Sequence, residues 1–111
     1  MTALEWLSEV SAAAEQFFPN HRISIQVIRE TRVKVRIEIN QDAFLDLFFR
    51  EETKRTDYTL IMAGQRRYGV DNLVEWHVHP IAATDTHIPT DEPTPEDALR
   101  LLREAVDTLI P

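Results

Sequence analysis

Cysteine is absent from the 111-residue chain. That removes disulfides, thiolate zinc sites and cysteine nucleophiles together, and leaves His, Asp and Glu as the donors any metal would have to use. No apolar run approaches the ~20 residues of a membrane-spanning helix. Acidic Glu5 and Glu9 stand where a signal peptide carries basic residues, so a cytoplasmic protein outside the membrane is expected. Internal repeats and low-complexity tracts are missing, as are a nucleophile elbow, a P-loop and a dinucleotide fingerprint, which excludes the common hydrolase and nucleotide-binding classes. Positive charge is scarce: the net charge is −7, and residues 82–98 hold no Lys or Arg. Bulk electrostatics therefore oppose non-specific binding of a polyanion. The exception is local, because Arg50, Lys54, Arg55, Arg66 and Arg67 crowd one stretch against Glu51, Glu52 and Asp57.

What is present describes an ordinary globular chain. A hydrophobic share of 43% and a charged share of 28% fit one core, and the length fits a single domain over 1–111. Leu4, Leu7, Val10, Ala14 and Phe17 recur at helical spacing, with Thr2 and Glu5 placed as a capping box, and this helix ends near Pro19. Alternation then takes over. Ile23, Ile25 and Val27, followed by Val33, Val35, Ile37 and Ile39, read as a strand pair; AFLDLFFREE and YTLIMAG read as the next hairpin. Gly64 and Gln65 mark a turn, RRYGVDN reads as a further strand, and VEWHVH alternates until Pro80. Residues 81–93 are too polar and proline-broken for a core element and read as a surface loop. Thr94 and Pro95 open a second helix whose face is Leu99, Leu102, Ala105, Val106 and Leu109. The fold class expected is α+β, an antiparallel sheet of five or six strands with an N-terminal and a C-terminal helix packed on it.

The chemistry concentrates in YGVDNLVEWHVH, Tyr68 to His79. His77 and His79 are one residue apart, so on a strand both imidazoles leave the same face. Three readings of that pair stand side by side. They can be incidental, solvent-facing residues on an edge strand behind a buried Trp76. They can be ligands of a transition metal, with Asp71 or His87 as the third donor. Or one can act as base and the other as acid, moving a proton from a ribose hydroxyl and returning one to the leaving oxygen. Asp71 can orient either ring by accepting its N–H, with Asn72 bonding substrate or main chain, or the two can simply shape a turn. Arg67 and Arg50 are exposed edge charges or, if they face the histidines, a fork for a phosphate. Tyr68 packs in the core or stacks on a base.

The run FFREETKRTDYTLIMAGQRRYGVDNLVEWHVHP resembles the TumE-like family, the presumed toxin halves of small toxin–antitoxin modules, over residues 48–87. In that resemblance Arg50 with Glu51, Tyr58, Tyr68, Asp71 with Asn72, and His77 with His79 occupy the family's positions, and His87 matches a further histidine. Gly69 stands where the family carries an arginine two before the Asp, and WHVHP holds one histidine fewer than the family's run. The resemblance implies an endoribonuclease acting on single-stranded RNA without metal or other cofactor. Its catalytic residues would be His77, His79, Asp71 and Arg67 or Arg50, with Asn72, Tyr68 and Glu51 at the substrate. A cognate antitoxin protein, RNA and a second copy of the chain are the partners it allows. The competing classes are a non-catalytic module that pairs a sheet edge with a partner strand, and a His/Asp metal-binding protein.

Overall fold

The computed structural model describes residues 1–111. Helix α1 (Ala3–Phe17) opens on the expected capping box: the Thr2 hydroxyl accepts from the Glu5 N–H at 3.1 Å, and the Glu5 carboxylate accepts from the Thr2 N–H at 2.9 Å. Seven strands follow in chain order, β1 (Ile23–Ile28), β2 (Arg32–Glu38), β3 (Ala43–Arg50), β4 (Arg55–Met62), β5 (Gln65–Asp71), β6 (His77–His79) and β7 (Ile88–Pro89). They form one sheet in which every strand pairs antiparallel with its neighbours in sequence. Helix α2 (Pro95–Leu109) closes the chain with a second capping box, Thr94 with Asp97. The α+β class and the two terminal helices are as expected.

The sheet has seven strands rather than five or six. The additional one, β7, lies inside the polar segment expected to be a loop, and pairs with His77 and Val78. Two residues give no alternation to read. They are held because the outer edge of β6 has backbone groups to satisfy, and the Thr90 N–H also donates to the Trp76 carbonyl at 3.1 Å. Pro89 is tolerated at this outermost position because its missing N–H is not needed for a further strand.

Both helices cover one face of the sheet. Val33, Val35 and Ile37 of β2, Leu45, Leu47 and Phe49 of β3, and Tyr58 and Leu60 of β4 point at them and are fully buried or nearly so. Trp6 anchors the layer: it stacks on Phe49 with ring centroids 5.4 Å apart, and its Nε1–H donates to the Tyr58 hydroxyl at 2.9 Å. The buried side of α1 is Ala3, Trp6, Val10, Ala13 and Ala14, whereas Leu4 is 54% exposed. Of the face expected, Val10 and Ala14 are buried and Leu7 and Phe17 pack against the core, while Leu4 stays out and the large Trp6 turns inward with Ala3, its i−3 neighbour. On α2 the expected Leu99, Leu102, Ala105 and Val106 are the ones buried.

The other face of the sheet carries no helix. The register sets its rows: Arg36 opposite Asp46, Lys34 opposite Phe48 and Phe48 opposite Asp57, then Arg32 opposite Arg50 and Arg50 opposite Arg55. Arg36 lies over the Phe44 ring, its Cζ 3.9 Å from the centroid. The charges are therefore sorted by layer. Cations gather on the open face, while α1, α2 and residues 82–98 carry most of the acids and only Arg100 and Arg103 of the cations. No helix is long and apolar enough to cross a membrane.

Candidate functional site

β5 and β6 bring the predicted residues together. Asp71 is the cross-strand partner of His77, and Gly69 of His79, so a period of two puts Asp71 and both imidazoles on the open face. The polar atoms converge tightly. His77 Nε2 is 3.0 Å from His79 Nε2 and 3.2 Å from Asp71 Oδ1, and His79 Nε2 is 3.0 Å from Asp71 Oδ2. All three side chains are almost wholly buried, His77 at 5%, His79 at 3% and Asp71 at 3% exposure. A solvent-facing, incidental histidine pair is therefore not what the chain forms. The return segment after Pro80 folds back over them, and the exposed His87 brings its ring to 4.6 Å from that of His77 and 4.5 Å from that of His79, centroid to centroid.

The backbone fixes the rings from behind. His77 Nδ1 lies 2.8 Å from the Glu75 carbonyl and His79 Nδ1 lies 2.9 Å from the Thr84 carbonyl. A carbonyl only accepts, so each Nδ1 carries a hydrogen and each Nε2 is turned to the centre. Asp71 is held in its turn by the Leu73 N–H at 2.9 Å and by Arg55 Nη1 at 3.4 Å. Burial works to raise the Asp71 carboxyl, but the Leu73 N–H, the charges of His77 and Arg55 and the contact with His79 outweigh it and hold the group below the ordinary carboxylate range.

The arginine that reaches the site is Arg66, whose Nη1 is 3.1 Å from His79 Nε2. The register explains why it is not Arg67. Leu60 pairs with Tyr68 and Ile61 with Arg66, so Arg67 is an extra, unpaired residue in a β-bulge. The bulge reverses the parity of the strand at that point and places Arg66 in the row of Gly69 and Asp71. A Cβ at Gly69 would stand 3.6 Å from Arg66 Cδ and 3.4 Å from the Tyr58 carbonyl oxygen, ordinary contact distances.

The remaining predicted residues have other work. Arg50 sits beside Glu52, its Nε 3.8 Å from the carboxylate. Glu51 accepts from the Ala3 N–H at 2.7 Å and so binds the start of α1. Asn72 is used up on main chain, its Oδ1 accepting from the Thr56 N–H at 2.8 Å and its Nδ2 donating to the Lys54 carbonyl at 2.7 Å. Tyr68 packs against the core under the helices, where burial and then the Glu104 charge raise its hydroxyl above the ordinary value. The site residues that sequence reasoning missed are Arg66 and Arg55. Strand alternation points at Arg67, and nothing short of the bulge register selects its neighbour. Comparison of the chain with family models, with curated proteins and with solved structures finds no match.

Proposed function

We propose that the protein cleaves phosphodiester bonds of single-stranded RNA at the His77–His79–Asp71–Arg66 cluster, as the toxin half of a toxin–antitoxin pair. The observation that supports this most is the placement of a buried His/His/Asp cluster, with an arginine on it, at one end of an open sheet face lined by cations. Arg32, Lys34, Arg36, Arg50 and Arg55 give a phosphate backbone a path towards the cluster, and the half-buried Phe44 and Phe48 offer rings for bases. The toxin role rests on the family resemblance, and the antitoxin would cover the same face.

In the reaction the 2′-hydroxyl loses its proton to the cluster, O2′ bonds to the adjacent phosphorus, the P–O5′ bond breaks, and O5′ takes a proton from solvent. The products are a 2′,3′-cyclic phosphate and a free 5′-hydroxyl. Arg66 is placed to meet the charge that builds on the non-bridging oxygens. The two histidines do not flank the phosphorus as separate base and acid. In-line displacement needs those groups on opposite sides of it, and Nε2 atoms 3.0 Å apart leave no room for a phosphate between them. The cluster works from one side, as a unit.

The test is induced expression of wild type beside His77→Ala, His79→Ala and the exposed-site variant Arg66→Ala, with cellular RNA and a purified RNA oligonucleotide analysed in parallel. Growth arrest and cyclic-phosphate ends with wild type, lost in all three at equal folded level, are expected. A wild type that leaves RNA intact, or histidine variants that still cut it, ends the reading.

One observation favours a binding role beside this one. Ile23, Ile25 and Val27 of the edge strand β1 are 37%, 51% and 43% exposed, and the strand carries no charge or proline to discourage pairing. The Glu38 N–H bonds the Arg22 carbonyl, so by the antiparallel alternation residues 23, 25 and 27 turn their own N–H and C=O groups outward. Two copies meeting about a two-fold axis at Ile25 would pair Ile23 with Val27 and bring the apolar side chains onto one face. A dimer by light scattering that becomes a monomer in Ile25→Lys, with RNA cleavage kept, is the expected result; a monomeric wild type removes the idea.

A further inference from the structure

The rings at the cluster face a problem of protons. With Nδ1–H committed to carbonyls on both histidines, the two Nε2 atoms and the Asp71 carboxylate converge at 3.0, 3.0 and 3.2 Å. Three acceptors do not gather in a buried place without something positive between them. Arg66 supplies one donor, to His79 alone. It leaves His77 Nε2 and the space between the three side chains unserved.

The distances lie within ordinary hydrogen-bond range, and they also match the spacing of ligands around a cation. Four ligands placed tetrahedrally at zinc-type bond lengths of ~2.0–2.1 Å are separated from one another by about 3.3 Å. The Nε2–Nε2 distance, and the two from Nε2 atoms to different oxygens of the Asp71 carboxylate, fall just inside that value. The surroundings have the form such sites take, with each imidazole oriented by a carbonyl on its far nitrogen and the carboxylate held by a main-chain N–H and an arginine. A fourth donor is at hand, since ring nitrogens of His77, His79 and His87 lie within 4.8 Å of one another. His87 is the exposed member and rides on the return segment, so closing the last distance moves that segment and not the sheet.

We propose that His77, His79 and His87, with the Asp71 carboxylate, hold one divalent transition-metal ion, zinc being the simplest fit. Imidazole and carboxylate donors without sulfur suit zinc and its neighbours rather than calcium or magnesium, which take oxygen ligands. Binding occupies the His79 Nε2 lone pair and releases Arg66, whose guanidinium is then free for an anion beside the metal. For catalysis, which rests on the RNA-cleavage reading, a phosphate oxygen enters as a fifth ligand. The ion would then supply Lewis acidity at the non-bridging oxygen, while the 2′-proton leaves to a solvent water.

The experiment uses the full chain stripped with a chelator and titrated with cobalt(II), then with zinc(II) as competitor. The expected results are the visible ligand-field bands of tetrahedral cobalt saturating at one equivalent, their reversal by zinc, and slower hydrogen exchange across residues 81–88 on loading. His87→Ala alters an exposed side chain and leaves the core intact, so it should fold and yet weaken zinc by more than about a hundredfold, beyond the usual effect of losing an outer-shell partner. His21→Ala should bind as wild type does. Absence of a saturable cobalt signal, or unchanged affinity in His87→Ala, overturns the proposal. RNA cleavage is assayed on the same samples. Metal retained with RNA left intact sinks the ribonuclease reading alone, and cleavage that persists in a chelated, metal-free sample sinks the ion's part in catalysis alone.

Discussion

Val74 has φ of +74° and is 97% exposed. A β-branched residue in the left-handed region strains its backbone, and here no buried contact compensates. It stands in the turn that joins Asp71 to His77, so the strain lies where the cluster's two strands are joined. Val74→Asn should raise stability by about 1 kcal/mol, read as a higher urea midpoint with an unchanged slope. A lower midpoint would show that the side chain has a role its exposure hides. Arg66 and Arg67 make the sharper contrast. Arg66→Ala should lower RNA cleavage by ~10²–10³-fold in kcat, as loss of a charge-stabilising donor does, and Arg67→Ala should change it little; equal effects would mean the bulge does not select between them. Single residues were also where sequence reading was weakest. His77 and His79 were found because a strand's period of two follows from the chain itself, and Asp71 as a carboxylate able to accept from a ring N–H. Arg66, the Glu75 and Thr84 carbonyls and the buried state of the histidines depend on a bulge and on a segment that folds back, and neither has a pattern in one sequence.

At the scale of the element, the helices were legible at their ends more than on their faces. The capping box of α1 was visible as the spacing of Thr2 and Glu5, and the start of α2 as Thr94 before Pro95, though not the Asp97 that completes its box. On the face of α1 Leu4 was taken for Trp6, because both are apolar and only packing against Phe49 and Tyr58 decides which turns in. Strands β1 to β6 followed from alternation, whereas β7, two residues long, exists through its partner and not through its own sequence. Glu51, expected at the substrate, instead joins the sheet to the helix layer by placing a carboxylate on the first turn of α1. That position favours negative charge. Glu51→Ala should therefore cost about 1 kcal/mol in chemical denaturation and leave metal binding untouched; a loss of RNA affinity without loss of stability would return the residue to the site.

The whole molecule has two tyrosines, and both hydroxyls are pushed upward. Burial does this to Tyr58 despite the Trp6 hydrogen bond, and burial together with Glu104 does it to Tyr68. A group whose folded pKa is raised contributes stability that is intact below the unfolded value, about 10 for tyrosine, and lost as pH rises through the folded one. Stability should thus begin to fall above about pH 10, and tyrosinate absorbance should appear with unfolding and not before it. Absorbance rising near 10 while the fold persists would contradict this.

The sorting of charge between the layers also bears on how the protein meets other molecules. A chain with net charge −7 would be turned away by a polyanion if its charge were spread evenly. Here the acidic helices repel while the strands attract, so the molecule has a preferred attitude of approach and arrives sheet first. If RNA is the partner, as proposed, the encounters that survive already present the cluster to it. Raising ionic strength shortens the reach of both effects, which slows productive encounters and also removes the filter against unproductive ones.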